Sequence, residues 1–340
     1  MSTQGPVLVT GSAGFIGFHT AQRLLARGET VIGVDNLNSY YDPTLKQARL
    51  DRLLAHPAYV HHTLDLADRE GMAAMFAEHA PRRIVHLGAQ AGIRYSVENP
   101  ETYVDSNVVG FLTVLEGARA TGAEHLVFAS TSSVFGANAA LPFSVQQGTA
   151  HPLNVYSATK LANEAMAHAY AYIFGIPSTG LRFFTVYGPW GRPDMALFKF
   201  TRAILEGRPI DVYGDGAMER DFTYVDDIVD GVVAALDDVP ARDPAWRAES
   251  PSPATSGVAP WRILNLGAGR RERLSRYIEV LEQALGRKAV LNLMRTQEGE
   301  MTRTEADVRE TRASLGYEPR TPIDEGVTRF VDWYRDFYSV

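Results

Sequence analysis

Tyr156 and Lys160 stand four residues apart in Tyr156-Ser157-Ala158-Thr159-Lys160, so on a helix they share one face. A phenol titrates near pH 10, which leaves roughly one in a thousand as phenolate at neutral pH. A neighbouring ammonium favours the phenolate. A phenol acidified in this way is a usable general base toward a hydroxyl. Such pairs are also common on solvent-facing helices, so this one needs supporting residues. Ser130-Thr131-Ser132-Ser133 follows an apolar, strand-like run, and Thr131 can hydrogen-bond the same oxygen and share its proton. Asn107 is a candidate to steady the active-site helix; an exposed helical asparagine reads almost as well.

A second run with chemistry in it is Thr10-Gly11-Ser12-Ala13-Gly14-Phe15-Ile16-Gly17. Glycines in a strand-to-helix turn allow a tight bend, close backbone approach to a pyrophosphate, and close packing of helix on strand. The phosphates would lie at the helix N-terminus, where unpaired N–H groups and the dipole favour anions. Asp35 ends the next strand-like run, placed to accept both hydroxyls of an adenosine ribose. A carboxylate there repels a 2′-phosphate, so NAD is expected over NADP. A turn cap is the plainer reading of Asp35. Asp65-Leu66 would flank the adenine, or simply turn the chain at a strand end.

These groups need a scaffold, and the first half of the chain supplies its rhythm. Strands are expected at Val7–Thr10, Thr30–Asp35, Tyr59–Thr63, Arg83–Leu87, His125–Ala129 and Ser178–Phe183. Helical stretches lie between them, including Phe15–Arg27, Arg69–Glu78, Tyr103–Thr121 and Tyr156–Phe174. Alternation of this kind predicts an α/β fold, a doubly wound parallel sheet of Rossmann type. After about Thr185 the rhythm breaks into Pro, Gly and aromatic residues, with a short strand at Ile210–Tyr213. Asp237–Ala259 reads as an exposed loop rich in Pro, Ala and Ser. The expectation is a dinucleotide domain over 1–184, rejoined by 221–238 and 261–267. A smaller, loop-rich substrate domain takes 185–220 and 268–340.

Bulk properties narrow the partners. The 340 residues carry a net charge of −7 and are 45% hydrophobic, so neither nucleic acid nor an anionic membrane is an expected partner. With no cysteine, thiolate metal sites, disulfides and cysteine nucleophiles are excluded, and no metal is expected. No apolar run approaches a membrane span, and the first strand begins without a basic and apolar leader. A cytoplasmic protein is expected.

Together TGSAGFIG, Asp35 and YSATK resemble the extended short-chain dehydrogenase/reductase family of nucleotide-sugar enzymes. Longer strings sharpen the resemblance. DNLNSYYD (35–42), HLGAQAGIRYSVENP (86–100), RFFTVYGPWGRPDMALFKF (182–200) and VYGDGAMERDFTYVDDI (212–228) resemble the UDP-glucuronate 4-epimerases of that family, almost end to end. The resemblance implies NAD held by Gly11, Ala13, Gly14, Phe15, Ile16, Gly17, Asp35, Asn36, Asn38, Asp65, Leu66, Gln90 and Lys160. It implies a UDP-sugar held by Arg94, Ser132, Ser133, Thr185, Arg192, Arg220 and Glu300. It also implies a homodimer built on 103–121 and 156–174, although core packing explains those apolar stripes equally well. Phe135, Gly88 and Glu300 depart from the family pattern, which usually has Tyr, Ala and Asp there.

Three reactions on this fold begin with oxidation at C4 of the sugar. Relatives that remove water carry Asp-Glu after the active-site Thr, and decarboxylases carry a Glu two residues after it. Here those positions are Ser132 and Ser133, which do not exchange protons near neutral pH. Simple return of the electrons to C4 is therefore favoured, giving 4-epimerisation of UDP-glucuronate. A 4-epimerase of neutral UDP-hexoses, a UDP-glucuronate decarboxylase, and a non-catalytic NAD-binding scaffold are the alternatives. Arg220 is the candidate clamp for the diphosphate, or else a surface ion pair with Asp221 or Asp226. Thr185, Ser132, Ser133 and Arg192 are suited to hold a sugar carboxylate; contact with phosphate or bracing of its loop are the other readings of Arg192.

Overall fold

Short apolar runs and amphipathic stretches alternate, and in the computed structural model each run takes the element its length and period favour. Residues 5–138, 140–295 and 302–340 are described. In order come β1 (Val7–Thr10), α1 (Phe15–Ala26), β2 (Val31–Asp35), α2 (Pro43–Leu54), β3 (Tyr59–Thr63), α3 (Arg69–His79) and β4 (Arg83–His86). Then follow α4 (Tyr95–Glu98), α5 (Pro100–Tyr103), a π-helical segment (Val104–Val109), α6 (Gly110–Thr121), β5 (His125–Thr131) and α7 (Val155–Phe174). The next elements are β6 (Ser178–Phe183), β7 (Thr185–Tyr187), α8 (Ala196–Leu205), β8 (Ile210–Tyr213), β9 (Glu219–Arg220), β10 (Phe222–Tyr224) and α9 (Val225–Asp237). The last are β11 (Trp261–Leu266), β12 (Glu272–Arg273), α10 (Leu274–Leu285), β13 (Leu291–Met294), α11 (Arg309–Leu315) and α12 (Ile323–Tyr338).

Seven strands form one parallel sheet in the order β11-β6-β5-β4-β1-β2-β3. Every residue of β1, β4 and β6 is buried, as expected of strands covered by helices on both faces. The order reverses between β1 and β4. A crevice opens there beyond the carboxyl ends of the strands. Three two-stranded pairs, β7 with β10, β9 with β12 and β8 with β13, carry the chain over that end.

Four features differ from the sequence expectation. The run at His125 does not stop at Ala129: Ser130 and Thr131 continue the ladder opposite Arg182 and Phe183, carrying Thr131 to the sheet edge. The helix expected over 103–121 is broken by the π-helical segment at Val104–Val109. That extra turn rotates Asn107 inward, where it is fully buried. Helix α2 was not anticipated, although Asp42 caps it through the Thr44 N–H at 2.9 Å and Pro43 opens it. Finally, the loop expected to be exposed over 237–259 is anchored. Ala254, Ser256 and Ala259 are buried, and the Ser256 hydroxyl meets His168 Nε2 at 2.9 Å.

Candidate functional site

The crevice is a cleft of about 1140 Å³, larger than a pocket for one drug-sized ligand. The glycine turn forms one wall. Gly11 has φ +68°, and a side chain there would meet Gly88 Cα at 2.8 Å. Gly88 must be small for the same reason, since a Cβ on it would press Leu66 and the Gly11 nitrogen. A Cβ on Gly17 would lie 2.0 Å from the Gly11 carbonyl oxygen, so helix α1 meets the turn as closely as backbone allows. This is a cradle that side chains would fill, and it suits a pyrophosphate at the α1 N-terminus.

Asp35 lies at the carboxyl end of β2 and lines the cleft. Its oxygens accept the N–H groups of Ala13 (3.2 Å) and Leu37 (2.9 Å), which hold the carboxylate still. Asn36 donates to Asp65 at 2.8 Å, joining the ends of β2 and β3. Gly11, Gly14, Phe15, Ile16, Gly17, Asn36, Asn38, Asp65, Leu66 and Gln90 all line the cleft. Ala13 does not. It is fully buried behind the wall, with its N–H on Asp35 and its carbonyl on Arg49.

Deeper in the cleft stand Thr131, Tyr156 and Lys160. Asn154 caps helix α7 through the Ser157 N–H at 2.8 Å, which fixes Tyr156 in the first turn and Lys160 one turn on. Asn107 Nδ2 reaches Gln90 O and Thr159 Oγ1, each at 3.0 Å, while Asn163 donates to Asn107 O at 2.6 Å. The π-helical segment is thereby tied to the helix that carries the phenol.

The polypeptide by itself holds the phenol up. Burial raises the Tyr156 phenol above its ordinary value; the Thr131 hydroxyl and the Arg192 guanidinium act against that rise. Lys160 is itself depressed to about 7 by burial, with Glu164 opposing, so its ammonium is only partly populated at neutral pH. Within the polypeptide, Thr131 and Arg192 oppose the rise without reversing it.

This has a stability consequence. Lys160 titrates at about 7 folded, against 10.5 for an ordinary lysine, so between those values the unfolded chain binds the extra proton. Stability should rise with pH across that window. Lys160→Met is expected to flatten the rise and to stabilise the ligand-free protein most below neutrality. Urea midpoints measured over a pH series check this; a variant no steadier than its parent near pH 6 contradicts it.

Toward the mouth lie Arg94, Ser132, Ser133, Thr185, Arg192 and Arg220, all on the cleft wall. The Arg94 guanidinium sits 5.0 Å from the Tyr213 ring. Ser132 and Ser133 form a 3₁₀ turn whose Ser133 N–H donates to Thr131 Oγ1 at 3.2 Å. Arg220 donates to its neighbour's carbonyl, Glu219 O, at 3.2 Å. Asp221 directs its carboxylate to Ala268 N–H (2.6 Å), Gly269 N–H, Ala306 N–H and Thr223 Oγ1. Glu300 lies outside the described residues.

Several site residues were not foreseen. Arg49 on α2 is fully buried and donates to Ala13 O, Tyr41 Oη and Trp190 O, stapling the glycine turn to the loop before α8. The Asp42-Pro43 start signal would have revealed its helix. Asp194 pairs with Arg192, a contact between two adjoining loop residues that no periodicity announces. Glu164 lies beneath Lys160 and binds Ser130 Oγ (2.6 Å) and Arg182 Nε and Nη2 (2.9 Å each). Phe135 stacks on Phe143 at 4.8 Å with the Arg182 guanidinium 4.8 Å above it, so an aromatic face is what this position uses.

Among the described residues, His62, Glu78 and His79 form a group that could hold a metal, away from the cleft. His62 Nε2 and His79 Nε2 are 2.7 Å apart. That is the spacing of a shared proton, and shorter than the roughly 3.3 Å between two nitrogens on tetrahedral zinc with ~2.0–2.1 Å bonds.

Comparison with known proteins agrees with this geometry. A probable UDP-glucuronate 4-epimerase of Rhizobium meliloti (strain 1021) is 46% identical over 333 residues, covering 97% of both chains. The crystal structure of a Bacillus cereus UDP-glucuronic acid 4-epimerase with UDP-glucuronic acid and NAD matches with TM-score 0.86 and 30% identity, over 98% of this chain and 100% of that one. A Thermotoga maritima UDP-glucose 4-epimerase with UDP-glucose matches with TM-score 0.83 and 27% identity, over 98% and 99%. The profile of the NAD-dependent epimerase/dehydratase family matches residues 7–245, and with it the conclusion is direct: this chain belongs to that family.

Proposed function

We propose that the protein interconverts UDP-glucuronate and UDP-galacturonate by 4-epimerisation, keeping NAD bound between turnovers. One observation carries the reading. Tyr156, Thr131 and Lys160 share a cleft with Thr185, Arg192, Ser132 and Ser133, so a proton shuttle and carboxylate-binding groups face the same space. The two residues after Thr131 are hydroxyls, which leaves that turn without an acid to drive water or carbon dioxide out.

Gly11, Gly14 and Gly17 would hold the cofactor's pyrophosphate, Asp35 its adenosine ribose, and Lys160 the nicotinamide end. The chemistry a bound NAD supplies is reversible hydride uptake at the nicotinamide ring. The polypeptide handles the proton. Tyr156 Oη takes it from the sugar O4 with Thr131 sharing the hydrogen bond, and returns it after the 4-keto ring has turned over. Arg220 grips the diphosphate while the ring moves. In this reading residues 1–184, 221–238 and 261–267 serve the cofactor, and 185–220 with 268–340 serve the nucleotide sugar.

The deciding experiment incubates purified protein with UDP-glucuronate and no added NAD, followed by NMR. Formation of UDP-galacturonate is expected; products confined to UDP-pentose, or no product, would overturn the reading. A second reading, a neutral UDP-hexose substrate, draws on Arg192 already being paired with Asp194. Parallel assays with UDP-glucose separate the two.

Two further outcomes follow. Asp35→Ser is expected to weaken NAD binding about tenfold, the size of a lost charge-assisted hydrogen bond, and to admit NADP. Unchanged NAD affinity by calorimetry would remove Asp35 from the ribose site. The 4-keto intermediate is a β-keto acid, prone to lose carbon dioxide when its carboxylate turns perpendicular to the carbonyl plane. Thr185→Val and Arg192→Ala are expected to raise UDP-pentose by-product, each hydrogen bond to the carboxylate contributing roughly 1.5–3 kcal/mol. Slower variants with no pentose would count against this role.

A homodimer belongs to the same reading. Val104, Tyr172, Ile173 and Phe174 keep exposed apolar surface on the π-helical segment and α7, the two stretches expected to pair. Monomeric behaviour in analytical ultracentrifugation would exclude it.

A further inference from the structure

Arg192 lines the wall of the cleft with its charge already answered. Its Nε and Nη2 form a fork on Asp194, with Nε–Oδ1 at 3.0 Å. This is the bidentate edge a carboxylate ligand would use. Both side chains are largely shielded, at 21% and 26% exposure. Tyr40 Oη donates to Asp194 at 3.4 Å, and the Arg192 guanidinium lies 5.9 Å from the Tyr40 ring. Burial alone would raise the Asp194 carboxyl; Arg192 outweighs it and holds the group ionised. Asp194, Arg192 and Tyr40 all face the cleft.

We infer that Asp194 is an exchangeable counter-ion for Arg192, which sets how strongly the site prefers an acidic sugar over a neutral one. The inference rests on the UDP-glucuronate reading above and deepens it. When a sugar carboxylate takes the fork, it displaces Asp194 from Arg192, so the guanidinium keeps a bidentate carboxylate partner throughout. Arg192 is never left as a bare buried cation, whose cost would otherwise drive the acidic sugar tightly onto it. The exchange also runs backwards. When the 4-keto ring must turn, its carboxylate can leave Arg192 because Asp194 is two residues away and ready to return. A neutral sugar has no carboxylate to trade and leaves the pair closed. Asp194 is thus a specificity-determining residue that acts through Arg192.

The test measures equilibrium binding of UDP-glucuronate and UDP-glucose to the NAD-loaded protein by calorimetry, with kcat and KM for UDP-glucuronate alongside. Asp194→Asn keeps the shape and removes the charge. It should tighten UDP-glucuronate about tenfold, the size of one charge-assisted contact, while UDP-glucose changes less than about twofold. Its kcat for the acidic sugar should fall as its KM falls, because the carboxylate no longer has a competitor. Tyr40→Phe, which loses only the longer bond to Asp194, should shift the same ratio in the same direction by less. In Arg192→Ala, Asp194→Asn should have no further effect on the ratio.

Equal shifts for both sugars, or looser binding of the acidic one, would overturn the inference and leave Asp194 a loop brace. Failure of the underlying reading shows elsewhere: the parent protein would then form no UDP-galacturonate. The binding ratios would still report on Asp194 in that event.

Discussion

Tyr156→Phe is expected to reduce turnover of UDP-glucuronate by roughly 10²–10⁴-fold, the usual contribution of a positioned general acid or base. Phenylalanine keeps the ring and its edge contact with Tyr103 at 6.0 Å but has no oxygen to exchange a proton. UDP-sugar and NAD should bind as before, so the loss belongs in kcat and not in ligand affinity. Thr131→Val should cost less, because Tyr156 keeps its proton when the shared hydrogen bond goes. The pH profile discriminates further. With Thr131 and Arg192 opposing burial at the phenol, Thr131→Val or Arg192→Ala moves its titration upward and shifts the acidic limb of activity, where the base becomes protonated, to higher pH. A Tyr156→Phe enzyme retaining a tenth of parental kcat would place the base elsewhere.

Glu164→Ala is expected to destabilise the fold by about 3–5 kcal/mol, the range for breaking a buried ion pair from one side. Arg182 is 2% exposed on β6 and has the Glu164 carboxylate along its Nε and Nη2 edge. Removing the carboxylate strands that cation beside the Phe135 ring and leaves Ser130 Oγ without its acceptor. Ser130 precedes Thr131 in the same strand, so kcat should fall along with stability. Replacing the pair together, Glu164→Leu with Arg182→Met, should recover most of the stability, since apolar residues of similar volume often match a buried ion pair. Denaturant midpoints for the parent, the single variant and the double variant check this. A single variant within about 1 kcal/mol of the parent would mean water reaches the pair.

Much of the architecture is legible in the sequence. β1, β3 and β6 lie where the short strand-like stretches of four to six residues between helical segments place them, because strand length is a local property. The glycine turn is legible for a similar reason: a backbone that must pass within contact distance of Gly88 tolerates only small residues. The Tyr156–Lys160 spacing places both groups on one helix face whatever surrounds the helix.

The chain alone therefore determined the order of elements, the cradle, the phenol and the family. Tertiary structure decided how their charges are balanced. That Lys160 is desolvated and that Arg182 and Glu164 neutralise each other under the catalytic strand depend on groups from separate segments meeting away from water; the Arg192–Asp194 fork is local to one loop, but its shielding from water comes from the same packing. Electrostatic interactions grow as water is excluded, and exclusion is a property of the packed whole. The π-helical segment that turns Asn107 inward belongs with them, since its bond to Thr159 forms only once α7 packs against it.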